Sequence, residues 1–247
     1  MINLIKSKKA GHVGMILSFV IFITFIVFLY SVVQPVTEIE RGKQDLLEYL
    51  HLELLREFSE DMTTSTVSIN DTVAETCIRF EMVEGTDHMN VVVRTDKILL
   101  EHEKSGSVEG SLITIDRQSA EGTEDFFKVY YSDEFESTET ESPCLNPKTL
   151  TIGEDYVLGL VRTEEEIFES KIQKIVQDFE ANYTEIKDKL NIAPGNEFGF
   201  SFTNVSEDTS GTPEKNVSVN IYVEEIPIQY IDSEANIKPG YLNIRVW

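Results

Sequence analysis

Basic residues are scarce in this sequence: 21 lysines and arginines stand against 44 aspartates and glutamates, a net charge of −23 over 247 residues. A field of that sign repels DNA, RNA and anionic surfaces, which argues against nucleic acid as a partner. Cysteine is nearly absent, with Cys77 and Cys144 alone. The pair has no CxxC spacing and no histidine close by, so no zinc site is expected. The four histidines (His12, His51, His88 and His102) fall into no HExxH-type pattern. A Walker loop, a dinucleotide-binding glycine fingerprint, a G-x-S-x-G elbow and an EF-hand loop are all missing. SGSVEG at 105–110 reads as a turn. The acidic run 121–125 offers carboxylate oxygens of the kind Ca²⁺ takes, but a solvated loop is the simpler reading. No catalytic constellation, metal site or cofactor is expected, and the chain reads as non-enzymatic.

What is present first is a long apolar run. Residues 13–33, VGMILSFVIFITFIVFLYSVV, contain no charge over 21 positions. As a helix they span about 31 Å, matching a hydrocarbon core of about 30 Å. Ser18, Thr24 and Ser31 are the only polar side chains, and each can bond a carbonyl one turn back. A secretory signal has a shorter apolar core of about 7–15 residues and a small-x-small cleavage site. Tyr30-Ser31-Val32-Val33-Gln34 offers no such site, so 13–34 is read as a retained transmembrane helix in a lipid bilayer. Residues 1–36 carry three lysines (Lys6, Lys8, Lys9) and no acid, hence +3, while the rest holds 18 basic and 44 acidic groups, hence −26. The positive-inside rule then puts a basic leader, 1–12, in the cytoplasm and the bulk of the chain outside.

Beyond the span, 35–61 reads as an amphipathic stalk helix. Leu46, Leu47, Leu50, Leu54 and Phe58 form one apolar face at helical spacing. That face fits packing on the chain's own head or against neighbouring copies. Pro35 and Gly42 mark places for a kink or break. From residue 62 the texture changes to short β-branched or alternating runs at 63–70, 77–83, 89–95, 111–116, 126–132, 156–163, 197–203, 216–226, 228–232 and 241–247. Turn-rich pieces separate them, which predicts antiparallel strands. Residues 132–148 read as an acidic exposed loop. One helix is predicted over 164–192, with Phe168, Ile172, Ile175, Phe179, Tyr183, Ile186 and Leu190 on one stripe. Thr163 and Glu166 offer a capping box at its start. The expected class is α+β: transmembrane helix, stalk, then a mainly antiparallel β head over 62–247. The head is either one domain or two subdomains with a boundary near 163.

Outside the cytoplasm Cys77 and Cys144 would either form a disulfide or remain free thiols. Asn70, Asn182, Asn204 and Asn216 begin Asn-x-Ser/Thr sequons and are candidate N-glycosylation sites.

The stretch KSKKAGHVGMILSFVIFITFIVFLY, followed by a striped helix and a β-rich remainder, resembles type IV pilin-like proteins of the archaeal kind. The resemblance covers about a tenth of the chain. It implies trimming of the leader at Lys9-Ala10-Gly11, after Ala10 or after Gly11, and packing of the exposed helices into a filament core with heads outward. The partners expected are then a bilayer, copies of the chain joined through the N-terminal helix, and an unknown surface partner. The alternatives are a monomeric tethered binding or receptor ectodomain, and an accessory subunit of a secretion or motility complex.

Overall fold

The structure, a computed structural model, describes residues 9–95, 99–100, 102–107, 110–119, 122–123, 125–136, 144–206, 208–212 and 220–247. Three helices and fourteen strands lie among the described residues. Helix α1 runs from Lys9 to Phe58. There follow β1 (Ser59–Ile69), β2 (Cys77–Glu81), β3 (Asn90–Arg94), β4 (His102–Ser107) and β5 (Gly110–Asp116). The two-residue strands β6 (Gln118–Ser119) and β7 (Gly122–Thr123) precede β8 (Phe126–Ser132), β9 (Lys148–Thr149) and β10 (Tyr156–Ile167). Helices α2 (Glu169–Ala181) and α3 (Tyr183–Lys189) lead to β11 (Phe198–Asn204), β12 (Thr209–Gly211), β13 (Tyr222–Ile231) and β14 (Ile237–Val246).

Every four-stranded sheet is antiparallel except where β9 joins β2 in parallel. Two sheets, in the orders β10-β1-β8-β3 and β4-β5-β2-β9, share one core. Val67, Val93, Phe127 and Val129 from the first meet Ile78, Phe80, Ile113 and Ile115 from the second. Strand β10 bulges opposite Thr66, where Gly159 makes room for the threonine hydroxyl: a Cβ there would lie 2.1 Å from Thr66 Oγ1 and would force that side chain to turn. A third sheet, β12-β11-β14-β13, packs one face on α1, α2 and α3 through Phe198, Phe200, Leu242 and Ile244.

The two cores are nested in the chain. Residues 59–167 leave the end of α1 and return beside it, because β1 and β10 pair along their length from Ser59–Ile167 to Ile69–Tyr156. Side chains of α1, α2, α3, β11, β13 and β14 then build the other core around sheet β12-β11-β14-β13. A small third cluster (Met62, Val92, Phe135, Phe168, Ile231 and Ala235) joins the two. The expected boundary near residue 163 is therefore displaced: Thr163 lies within β10, its Oγ1 2.8 Å from Thr63 Oγ1.

Other boundaries move for identifiable reasons. Residues 59–61 are strand, since Ser59, Glu60 and Asp61 pair with Ile167, Glu166 and Glu165. The same pairing keeps 164–167 out of the predicted helix, so Thr163 and Glu166 cap nothing. That helix begins at Glu169 and divides at Asn182, whose backbone leaves helical geometry at φ −152°. The pieces predicted at 216–226 and 228–232 form one strand, Tyr222–Ile231, which passes through Pro227. Its position at a sheet edge tolerates the missing N–H. Residues 35 and 42 stay inside α1, so neither Pro35 nor Gly42 ends the helix.

Candidate functional site

The segment Val13–Gln34 is long and apolar enough to cross a membrane, and every one of its side chains is exposed. Phe19, Phe22, Phe25 and Phe28 are all more than half exposed. Thr24 Oγ1 donates within the helix, lying 3.0 Å from the Val20 carbonyl and 2.9 Å from that of Ile21, so the segment's central hydroxyl is satisfied internally. A helix of this composition is compatible with a membrane anchor or with a signal sequence.

The same helix changes character past residue 43. Leu47, Leu50, Leu54 and Phe58 are buried in the chain's own core, and Leu46 packs against its margin. Leu52, on the opposite side, is 62% exposed. The apolar face offered as an assembly surface is thus covered by β11, β13, β14 and α2, and it is not open to copies. Ion pairs fasten the polar flanks. Lys189 meets Glu57, Lys171 meets Glu60 at 2.6 Å and Lys187 meets Glu197 at 2.9 Å. Lys171 holds the Glu60 carboxyl below its usual range, against a partial opposing effect of burial. Burial pushes the Tyr183 phenol well up, helped by the Glu197 carboxylate, while its oxygen accepts the Phe198 N–H at 3.2 Å.

Cys77 and Cys144 are joined as a disulfide between β2 and the segment leading to β9. Close to it Arg117, 1% exposed, donates to the carbonyls of Glu75 and Val73 and pairs with Asp125. That arginine ties the loop before β2 to the start of β8. Asp125 belongs to the acidic run considered for Ca²⁺; Glu121 and Glu124 lie outside the described residues. Among the described residues no group of three or more His, Cys, Asp or Glu side chains is placed to hold a metal ion.

The sequons separate by environment. Asn70 sits at the turn after β1, Asn182 at the α2–α3 break and Asn204 at the end of β11, whereas Asn216 lies outside the described residues. Of the leader residues Lys9, Ala10 and Gly11, the structure shows only that they begin α1.

One feature was not visible in the sequence. A cleft of about 200 Å³ opens where the inserted strands meet the start of α2, with Glu134, Glu136, Glu169 and Asp232 on its walls. Ser170 Oγ donates to Glu134 at 2.7 Å across it. Asp232 is engaged from behind: its Oδ1 accepts the N–H groups of Glu234 and Asn236, and Lys238 Nζ lies 2.6 Å from its Oδ2. Burial alone would raise this carboxyl, but the Lys238 and Asn236 donors outweigh it and the net shift is downward. Those walls come from residues far apart in the chain, and only the IDSEAN turn at 231–236 carries a local signal for one of them.

No protein-family model, curated protein or solved structure matches the chain.

Proposed function

We propose that this chain is a non-enzymatic, membrane-anchored cell-surface protein of pilin-like build. Its apolar helix lies in the bilayer, its basic leader faces the cytoplasm and its acidic head stands outside. One observation carries the reading: the helix that is uncharged, mostly apolar and uncovered from Val13 to Gln34 is the same helix that contributes to the head's core from Leu47 to Phe58. An apolar surface of that extent is not stable in water. The head is therefore fixed to whatever solvates the segment, lipid or the helices of other copies.

Protease added outside sealed cells should degrade the head and spare the segment. Protection of the head would overturn the outward orientation. For the pilin-like version, N-terminal sequencing should begin at Gly11 or His12, and photo-crosslinkers placed within 13–34 should capture a second copy of the chain. An intact leader with no copy-to-copy crosslink removes that version.

The tethered monomeric ectodomain is the second reading. The burial of Leu47, Leu50, Leu54 and Phe58 within the chain favours it, since any assembly is left with 13–34 as its apolar contact on α1.

A further inference from the structure

An N-linked glycan is attached to the side-chain nitrogen of asparagine, so the contacts of that amide in the folded protein bear on which sequons accept it. At Asn70, Nδ2 donates to the Glu154 carbonyl, and the backbone N–H donates to the Asp155 carbonyl at 2.9 Å. Both bonds hold the turn after β1 onto the turn before β10. At Asn182 the whole amide serves the α3 cap: Oδ1 accepts the Glu185 N–H at 3.4 Å and Nδ2 donates to Glu185 Oε2 at 3.1 Å. At both positions one of the two Nδ2 hydrogens is already committed to a contact that shapes the backbone, and a sugar on that nitrogen leaves a single hydrogen to keep it.

Asn204 is arranged the other way round. Its Oδ1 accepts the N–H of Ser206 at 2.9 Å and that of Asp208 at 3.0 Å. Its Nδ2 donates to no group among the described residues. The amide is thus oriented by its oxygen. The two donors on Oδ1 also stabilise the negative charge that gathers there when Nδ2 loses a proton, as donors aimed at a developing oxyanion do. The site lies at the tip of the β11–β12 hairpin, where Asn204 is half-buried, Val205 is 57% exposed and Ser206 is exposed.

We propose that Asn204 is the N-glycan acceptor of the folded chain and that Asn70 and Asn182 remain unmodified. The donor is a sugar linked to a lipid phosphate. A bond forms between Nδ2 and the anomeric carbon, and the bond from that carbon to the phosphate oxygen breaks. The lipid phosphate leaves with the electron pair, and the Nδ2 proton passes to a base of the transferase. The proposal rests on the outward-facing head for its place in the cell, but the acceptor geometry is testable apart from it.

The test takes the full-length chain, made in cells that lack N-glycosylation and folded in nanodiscs. It is incubated with membranes carrying an oligosaccharyltransferase and its lipid-linked donor, with a sequon peptide as control acceptor, and peptides are mapped by mass spectrometry. The expected result is glycan on Asn204, abolished both by Asn204→Gln and by Ser206→Ala. Ser206→Ala keeps the Oδ1 contacts, because they come from backbone N–H groups, and so separates loss of the acceptor from misfolding. Asn70→Gln and Asn182→Gln should leave the yield within about twofold. Glycan on Asn70, Asn182 or Asn216 with Asn204 bare would overturn the proposal, as would an unmodified chain beside a modified control peptide. The purified reaction is indifferent to membrane sidedness, so its failure is distinguishable from failure of the protease test of orientation.

Discussion

The N–H of Phe168 donates to the carbonyl of Phe58 at 3.0 Å, joining the last residue of α1 to the residue that follows β10. Both side chains are buried, Phe58 against Phe200 and Phe168 against Phe135. The hundred-odd residues between them leave and re-enter at one point.

Replacing 59–167 with a linker of about four glycine and serine residues should leave the α1–β14 core folded, since closing so short a gap costs little loop entropy. Circular dichroism should show the helical signal retained and the strand signal reduced. Stability should drop, because Phe168, Ile231 and Ala235 lose their partners in the joining cluster. Loss of cooperative unfolding would show that the core cannot stand without its insertion.

Leu50 and Leu52 lie on opposite sides of α1, and their substitution should tell burial from composition. Leu50→Ala removes a side chain of 0% exposure and should cost about 2–5 kcal/mol. Leu52→Ala should stay within about 0.5 kcal/mol. Urea midpoints of the full chain in detergent check both.

Arg117 is a buried cation whose acidic partner, Asp125, is about half exposed. Arg117→Met leaves the Val73 and Glu75 carbonyls without donors and should cost roughly 2–4 kcal/mol. Asp125→Asn should cost less than about 1 kcal/mol, because solvent screens that side of the pair. Thermal unfolding of the two variants ranks the contributions, and the reverse order would contradict this account.

Asp232 and Lys238 give a pH dependence of known sign. The Asp232 carboxyl lies below its ordinary 3.8, so its contribution to stability is present above that value and is lost as pH falls through the lowered one. The Lys238 ammonium, bonded to Asp232, lies above its ordinary 10.5; its share is full below that value and is lost as pH rises through the raised one. The gap in urea midpoint between wild type and Asp232→Asn should be widest near neutrality and should close in strong acid. A gap independent of pH would mean that Asp232 acts through packing alone.

The local patterns in the sequence map closely onto the fold, and the long-range pairings do not. The apolar run at 13–34, the stripe from Leu47 to Phe58 and most strands announce themselves by period. The tail of β10 does not: Glu164, Glu165 and Glu166 have helical propensity and no alternation, and they are strand because β1 pairs with them. The division at Asn182 is a cap decided by one side chain, and the apolar stripe continues across it through Tyr183 and Ile186. The nested return at Phe58 and Phe168 depends on register between residues a hundred positions apart, which periodicity does not encode. The cleft lined by Glu134, Glu169 and Asp232 is a product of that return, so it was hidden with it.

The unbroken course of α1 through Pro35 and Gly42 has a mechanical consequence. Fifty residues of helix make a rod about 75 Å long, with one end apolar and bare and the other clamped in a core. A sideways drag on the inserted sheets enters that rod at Phe58 as torque, and it bends the rod most readily at Pro35, whose ring removes a backbone hydrogen bond. The attitude of the head and the tilt of the apolar segment are thus coupled through one continuous helix, and a force on one is felt by the other.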